Sequence, residues 1–470
     1  MPASRAASTL PDKWHLLIAA SVAGLGGVLF GYDNIVISGA IRYLSQCFHL
    51  DVVGVGWAAG CALIGCIVGS AGAGAVVDRV GLKKGLALCA ACFAASSAGM
   101  WFAATLNQFV FWRWLGGLGI GAASIISPMY IAEIAPTRRR GRLVTLYQLG
   151  IVLGILAAVF VNMLIQRLGD DAWNTAVGWR WMFLAGIVPA IFFAGMIMPA
   201  LESPRWLMKT GRREAAYDVL RRVNGVATAE REASAIAASL AAEEGHFSEL
   251  FTTFRRPLLL GIMLAGFSQL SGITPLFSFL PEIFRAAGTA TTDAFFQAVL
   301  VGLVNLTFTL LALWLVDRVG RKTLILAGTV TQCLSFAMVG WFYHAGGGGL
   351  AVLAFVMTFV AGHAFGNGVA CWVIISEIYP TKMRGRAMSI ATTALWLVGY
   401  FGNQSFPLMQ KHLGNDGTFW WFSFAALANF ICVLGLVPET KGRSLEEITA
   451  FWTSQGRSGL PEIGAREPGD

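Results

Sequence analysis

Residues 78–81 read Asp78-Arg79-Val80-Gly81, and the same four residues return as Asp317-Arg318-Val319-Gly320. A second pair keeps nearly the same offset. Glu133-Ile134-Ala135-Pro136-Thr137 is followed by Arg140-Gly141-Arg142, and Glu377-Ile378-Tyr379-Pro380-Thr381 is followed by Arg384-Gly385-Arg386. Each copy lies in a short polar loop between two long apolar runs. Matched loops about 240 residues apart mean a duplicated unit, with both copies in the same orientation across a membrane.

Outward from these loops, twelve apolar runs are expected to form spans. The first six lie near 14–41, 53–77, 84–104, 108–131, 143–165 and 180–199. The second six lie near 257–280, 294–316, 323–344, 349–376, 387–409 and 418–437. Each has about 20 residues or more, enough to cross roughly 30 Å of hydrocarbon as a helix. The composition agrees: 56% of the 470 residues are hydrophobic and 13% are charged, about half the charge of a soluble domain. The 55 glycines suit close helix packing in lipid. The fold class is therefore all-α membrane protein, twelve helices in two six-helix halves.

The net charge of +8 needs no nucleic-acid partner. With both termini cytoplasmic, about 28 of the 34 Lys and Arg fall inside, about five outside and one within a span. The expected organisation is a cytoplasmic N-terminus at 1–13, an N-terminal half at 14–200, a helical cytoplasmic linker at 201–256, a C-terminal half at 257–438 and a cytoplasmic tail at 439–470. In the linker, Ala216, Val219, Leu220 and Val223 have the spacing of one buried helix face. The first apolar run is too long for a signal peptide and reads as a retained span.

Several chemistries are set aside. Seven of the eight cysteines lie in apolar runs, and Cys89-x-x-Cys92 has no second pair beside it, so no disulfide framework or metal site is expected. Gly117-x-Gly119-x-Gly121 follows a helix rather than a strand, and no Walker A sequence occurs, which removes the nucleotide-binding readings. The chain does not read as an enzyme.

What remains is a set of polar residues inside the spans. Asp33, in Phe30-Gly31-Tyr32-Asp33, is an acid in the middle of the first run, and an acid in hydrocarbon costs at least about 2.5–3.5 kcal/mol. Arg113 is the single basic residue placed inside a span. Counting from the outer helix ends puts Arg113 roughly 9 Å deep and Asp33 roughly 12–16 Å deep, so the two are able to meet. A protonatable acid beside a fixed cation is a proton switch, because moving the cation changes the acid's proton affinity. A permanent structural ion pair is the competing reading.

Gln148 and Gln269 each donate and accept hydrogen bonds, which suits vicinal hydroxyls. Trp372 and Trp396 offer faces on which a sugar ring stacks. In the repeated loops, Glu133 with Arg140 and Glu377 with Arg384 are candidate ion pairs that hold the cytoplasmic side shut and break on opening.

The chain resembles the sugar porter family of the major facilitator superfamily from about Trp14 to Trp452. The motifs are Asp78-Arg79-x-Gly81, Arg113-x-x-x-Gly117-x-Gly119-x-Gly121, Glu202-Ser203-Pro204-Arg205-Trp206-Leu207, Asp317-Arg318-x-Gly320-Arg321-Lys322 and Pro438-Glu439-Thr440-Lys441-Gly442. Within the family it is most similar to bacterial proton-coupled pentose and hexose symporters. The resemblance implies an alternating-access carrier with sugar bound between the halves. It makes Asp33 the proton-coupling acid and Arg113 its partner. It places Phe30, Gln148, Gln269, Gly368, Trp372 and Trp396 on sugar-contacting positions. It adds Asp78, Arg79, Glu202, Arg205, Asp317, Arg321 and Glu439 to the cytoplasmic gate.

The sequence departs from that pattern in places. The family's paired glutamines read Ser268-Gln269, its asparagine reads Thr274, a tyrosine reads Ser278, and a glutamine found in one symporter reads Leu395. Leu82 stands where the first loop motif has an arginine, with Lys83 as the candidate substitute. The expectation is a plasma-membrane carrier, of the bacterial inner membrane, that works as a monomer. It would import a monosaccharide or related polyol with a proton and need no cofactor. The alternatives are a facilitative uniporter and a transporter-like sugar sensor.

Overall fold

The computed structural model describes residues 13–135, 140–241, 247–379, 383–442, 447–448 and 452. Among them every regular element is a helix. Ten helical segments are long and apolar enough to cross a membrane. Two observations raise ten to twelve. Leu82–Trp101 is a further apolar helix of 20 residues that opens with two lysines. Arg384–Leu436 runs for 53 residues and leaves helical geometry at Gly414, where φ is 74°. Unbroken, it would be about 80 Å long, far more than a bilayer needs, so it forms two spans.

The spans in order are Lys13–Cys47, Val52–Val80, Leu82–Trp101, Leu106–Ile134, Arg140–Gln166, Asp171–Ile197, Arg255–Ser278, Thr291–Val319, Arg321–His344, Gly349–Glu377 and the two arms of Arg384–Leu436. Pro136, Thr137, Pro380, Thr381, residues 1–12 and most of 443–470 lie outside the described residues. Between the halves the linker forms Pro204–Lys209, Arg213–Asn224 and Val226–Ala241. Its face of Ala216, Val219, Leu220 and Val223 is buried.

Within the first half, span 1 packs along span 5 and span 2 along span 4. The glycines explain how closely. A Cβ added at Gly31 would lie 1.9 Å from the Ile151 carbonyl oxygen, and one at Gly117 would lie 1.9 Å from that of Ala62. The helix backbones touch, which is how dispersion and weak C–H contacts hold spans together where lipid removes the hydrophobic drive. The halves meet where span 2 packs on span 11 and span 5 on span 8.

Two spans of the second half are irregular. Span 7 breaks at Gly272, with φ 89°, where an added Cβ would lie 2.7 Å from the Phe422 ring. Only glycine meets both demands. Span 10 carries a π-helical run over Ala364–Ala370. Breaks of this kind are tolerated at membrane depth where other protein groups surround the backbone.

At the end of the bundle away from the linker, the halves are tied together. Asn403 Nδ2 donates to the Ala59 carbonyl at 3.2 Å and to Ser278 Oγ at 3.0 Å. Gln404 Nε2 donates to the Val53 carbonyl at 3.2 Å. Arg42 donates to Thr291 Oγ1 at 3.1 Å and pairs with Asp171 at 2.9 Å. That face is closed.

Candidate functional site

Span 1 brings two functions one helical turn apart. Asp33 Oδ2 accepts from Arg113 Nη1 at 2.8 Å, and the same nitrogen donates to the Asp33 carbonyl at 3.2 Å. Their side chains are 9% and 2% exposed, so neither charge is solvated by bulk water. Arg113 also lies 5.4 Å from the Phe183 ring centroid, a cation–π contact, and its Nε has no hydrogen-bond partner. Gly116 makes the room: a side chain there would meet Ser96 at 2.5 Å and Asp33 at 3.8 Å.

Three residues before Asp33, the Phe30 ring lies 5.3 Å from the Trp396 ring across the halves. Trp396 is buried, and its indole N–H has no partner. Buried indole N–H groups normally find an acceptor, so this one is available to a bound solute. Gln269 lies beside it, with its Oε1 3.5 Å from where a Cβ on Gly399 would stand, and accepts from the Thr274 hydroxyl. Trp372 packs against the core cluster that includes Trp396. Gly368 is half-buried in the π run. Gln148 is half-buried on span 5. It lies three turns from Val159 on the same helix face, and Val159 packs toward Gly302 of span 8, so that face looks at the other half. The structure thus gathers Phe30, Trp396, Gln269 and Thr274 between the halves. Ser268 is not presented in the same way: its hydroxyl donates to the Ala265 carbonyl of its own helix at 2.7 Å.

The linker face shows a duplicated charge network. Glu202 Oε1 accepts from the N–H groups of Leu82 and Lys83 at 2.9 and 3.1 Å, capping span 3. Glu439 accepts from those of Arg321 and Lys322 at 3.1 Å each, capping span 9. A carboxylate at a helix N-terminus satisfies orphan donors and the helix dipole together. Asp78 pairs with Lys209 at 2.8 Å, Arg79 is exposed at the end of span 2, and Arg205 donates to Ser239 at 2.9 Å.

The two copies then diverge. Arg321 bridges Asp317 at 2.8 Å and Glu377 at 3.2 Å. The expected Glu377–Arg384 bond is not made: Arg321 donates to Glu377 Oε1, while Glu377 Oε2 and two Arg384 nitrogens are left without partners. In the first copy Leu82 is buried where Arg321 stands in the second. Glu133 accepts from the hydroxyl of Ser203. Arg140 opens span 5, with its side chain outside the described residues. Lys83 does not replace the missing arginine. It donates to the Met198 carbonyl at 2.8 Å, as Lys322 does to that of Leu434 at 2.9 Å, so it already has a position of its own.

Leu82→Arg is therefore expected to create the missing bridge between Asp78 and Glu133. A partly exposed pair contributes up to about 1 kcal/mol, or roughly fivefold in an equilibrium. Turnover should slow by up to that factor while the melting midpoint rises; faster turnover would count against a gate there.

Asn403 was not among the residues the sequence singled out, and Ser203 entered only as part of a motif, with no role of its own. Ser203 carried a signal, since Ser-Pro opening a helix is a capping pattern, and its Oγ does accept from Trp206 N at 3.1 Å. Asn403 carried none: a single asparagine late in an apolar run says nothing about which helix it will face.

A family model described as "Sugar (and other) transporter" matches residues 19–452. The D-xylose-proton symporter of Escherichia coli K12 is 36% identical over 463 residues, covering 92% of this chain and 94% of that protein. The arabinose-proton symporter of Bacillus subtilis is 38% identical over 440 residues, covering 93% and 95%. An inward-open structure of the E. coli xylose transporter superposes with a TM-score of 0.83 at 35% identity, over 93% of this chain and all of that one.

Proposed function

The chain belongs to the sugar transporter family, and on that premise we propose that it imports a monosaccharide or related polyol together with a proton, by alternating access. The observation that carries the reading is the buried Asp33–Arg113 pair, one turn along span 1 from the Phe30–Trp396 contact. A solute that moves Phe30 moves the helix that holds the acid. Occupancy of the sugar site and proton affinity at Asp33 are then linked through one rigid element. Arg113 pairs with the acid, Trp396 and Gln269 supply the hydrogen bonds, and Phe30 and Trp396 the apolar faces.

In this reading the linker face and both termini are cytoplasmic, in the plasma membrane of a bacterium. The glutamate-capped spans 3 and 9, with Asp78, Asp317, Arg321 and Glu377, form the inner gate. The Asn403, Gln404 and Arg42 ties close the outer side. The proton is the coupling ion, no cofactor takes part, and a single chain is the working unit.

The test uses purified protein in sealed vesicles and a panel headed by xylose and arabinose, extended to hexoses and polyols. Sugar added outside should carry protons inward, read by a trapped pH dye. Sugar flux without proton movement would make the protein a uniporter. Binding without flux would make it a sensor.

A further inference from the structure

Spans 9, 10 and 12 enclose three amides, Gln332, Asn367 and Asn429, which are 0%, 2% and 1% exposed. Asn367 Nδ2 reaches Gln332 Oε1 at 3.5 Å, and Asn429 Nδ2 reaches Asn367 Oδ1 at 3.4 Å. Both bonds are long. At the two ends of this short chain, Gln332 Nε2 and Asn429 Oδ1 are buried with no partner. Amide groups inside a membrane protein are costly unless fully satisfied, and this network is only partly so.

The duplicated architecture supplies its own control. The offset that pairs Glu133 with Glu377 sets Asn367 on Ala123, and that pairing Asp78 with Asp317 sets Gln332 on Phe93. The equivalent lysine acceptors, Met198 and Leu434, set Asn429 on Phe193. Phe93, Ala123 and Phe193 are all buried and belong to one apolar core cluster. The three equivalent positions of the first half are thus filled by buried apolar side chains, so the repeat architecture does not itself demand amides there.

They coincide with a second asymmetry. Span 4 is α-helical throughout Leu106–Ile134, whereas span 10 is π-helical over Ala364–Ala370, with Asn367 at the centre of the run. A π turn leaves backbone bonds that are easily exchanged and is common at functional sites. The run includes Gly368 and ends two residues before Trp372. Span 9 is pressed against it: a Cβ on Gly328 would lie 2.8 Å from the Gly366 Cα.

We propose that Gln332, Asn367 and Asn429 are positioning residues that hold the π turn of span 10 in one of two registers, and through it the placement of Gly368 and Trp372 at the sugar site. The stretched bonds and the open donor and acceptor let the three amides exchange partners when the register shifts. The first half, with apolar side chains at the equivalent positions and a regular span 4, has no such exchange at that junction. This inference rests on the sugar-transport reading.

The test is the triple variant Gln332→Met, Asn367→Ala, Asn429→Leu, which gives the junction the apolar character of its counterpart. Its melting midpoint should equal or exceed that of wild type, and its sugar affinity should stay within about threefold. Turnover should fall about tenfold. Full turnover in a folded triple variant would overturn the inference alone. A wild type that moves no sugar would overturn the transport reading and this inference with it.

A second measurement covers a triple variant that fails to fold. In wild type, sugar should change amide hydrogen exchange across 364–370 and leave 120–126 unchanged. An equal response in both stretches would overturn the proposal.

Discussion

Asp33→Asn is expected to abolish accumulation of the transported sugar while leaving exchange of sugar across the membrane intact. One charge moving through about 100 mV yields roughly 2.3 kcal/mol, and at about 1.4 kcal/mol per tenfold that supports roughly 50-fold accumulation. Asparagine has the shape of aspartate and keeps an oxygen to accept from Arg113, so the site geometry should survive. It cannot bind and release the proton. Uphill uptake in vesicles with an imposed proton gradient should therefore drop from about 50-fold to unity, with counterflow of labelled sugar retained. Full accumulation by the variant would remove Asp33 from the coupling step.

Arg113→Leu is expected to be strongly destabilising. Removing one partner from a buried ion pair leaves the other charge without compensation, which costs about 3–5 kcal/mol, a factor of roughly 10²–10⁴ in the folded population. The rest of the site offers Asp33 little relief, since Tyr32 beside it already donates its hydroxyl to the Met182 carbonyl at 2.8 Å. The double variant Asp33→Asn with Arg113→Leu removes both charges, and most of the lost stability should return. Melting followed by tryptophan fluorescence on the four proteins of this cycle gives the coupling directly. A single Arg113→Leu variant as stable as wild type would show that the pair is not an uncompensated liability when broken.

The Asp33–Arg113 meeting was legible because helical rise converts residue counts into depth, and depth is most of what two residues on neighbouring spans need. The spans themselves were legible for a similar reason, since hydrocarbon thickness demands about 20 apolar residues. Even the run with two lysines at its start, Leu82–Trp101, was found from its length and position. The linker face of Ala216, Val219, Leu220 and Val223 followed from helical period alone.

Other contacts could not be read that way. Ser268 and Gln269 are adjacent in sequence, yet one hydroxyl turns back onto its own helix and the neighbouring amide reaches Thr274 beside Gly399 of span 11. Glu133 and Glu377 occupy the same place in their repeats, but the Arg321 bond to Glu377 has no equivalent at Glu133, because the counterpart of Arg321 is Leu82. Lys83, the apparent replacement, was already committed to the Met198 carbonyl.

The sequence by itself determined the number of spans, their duplication and the identity of the buried charges, because these depend on local hydrophobicity, period and repeat. Tertiary structure alone decided which polar groups share a junction. The register of one helix against another is set by backbone contacts such as Gly31 on Ile151 and Gly117 on Ala62, and such contacts lie far apart in the chain. For the repeat with which the reading began, this is why Asp78-Arg79-Val80-Gly81 and Asp317-Arg318-Val319-Gly320 announce two equal halves. The amides of Gln332, Asn367 and Asn429 then make those halves mechanically unequal.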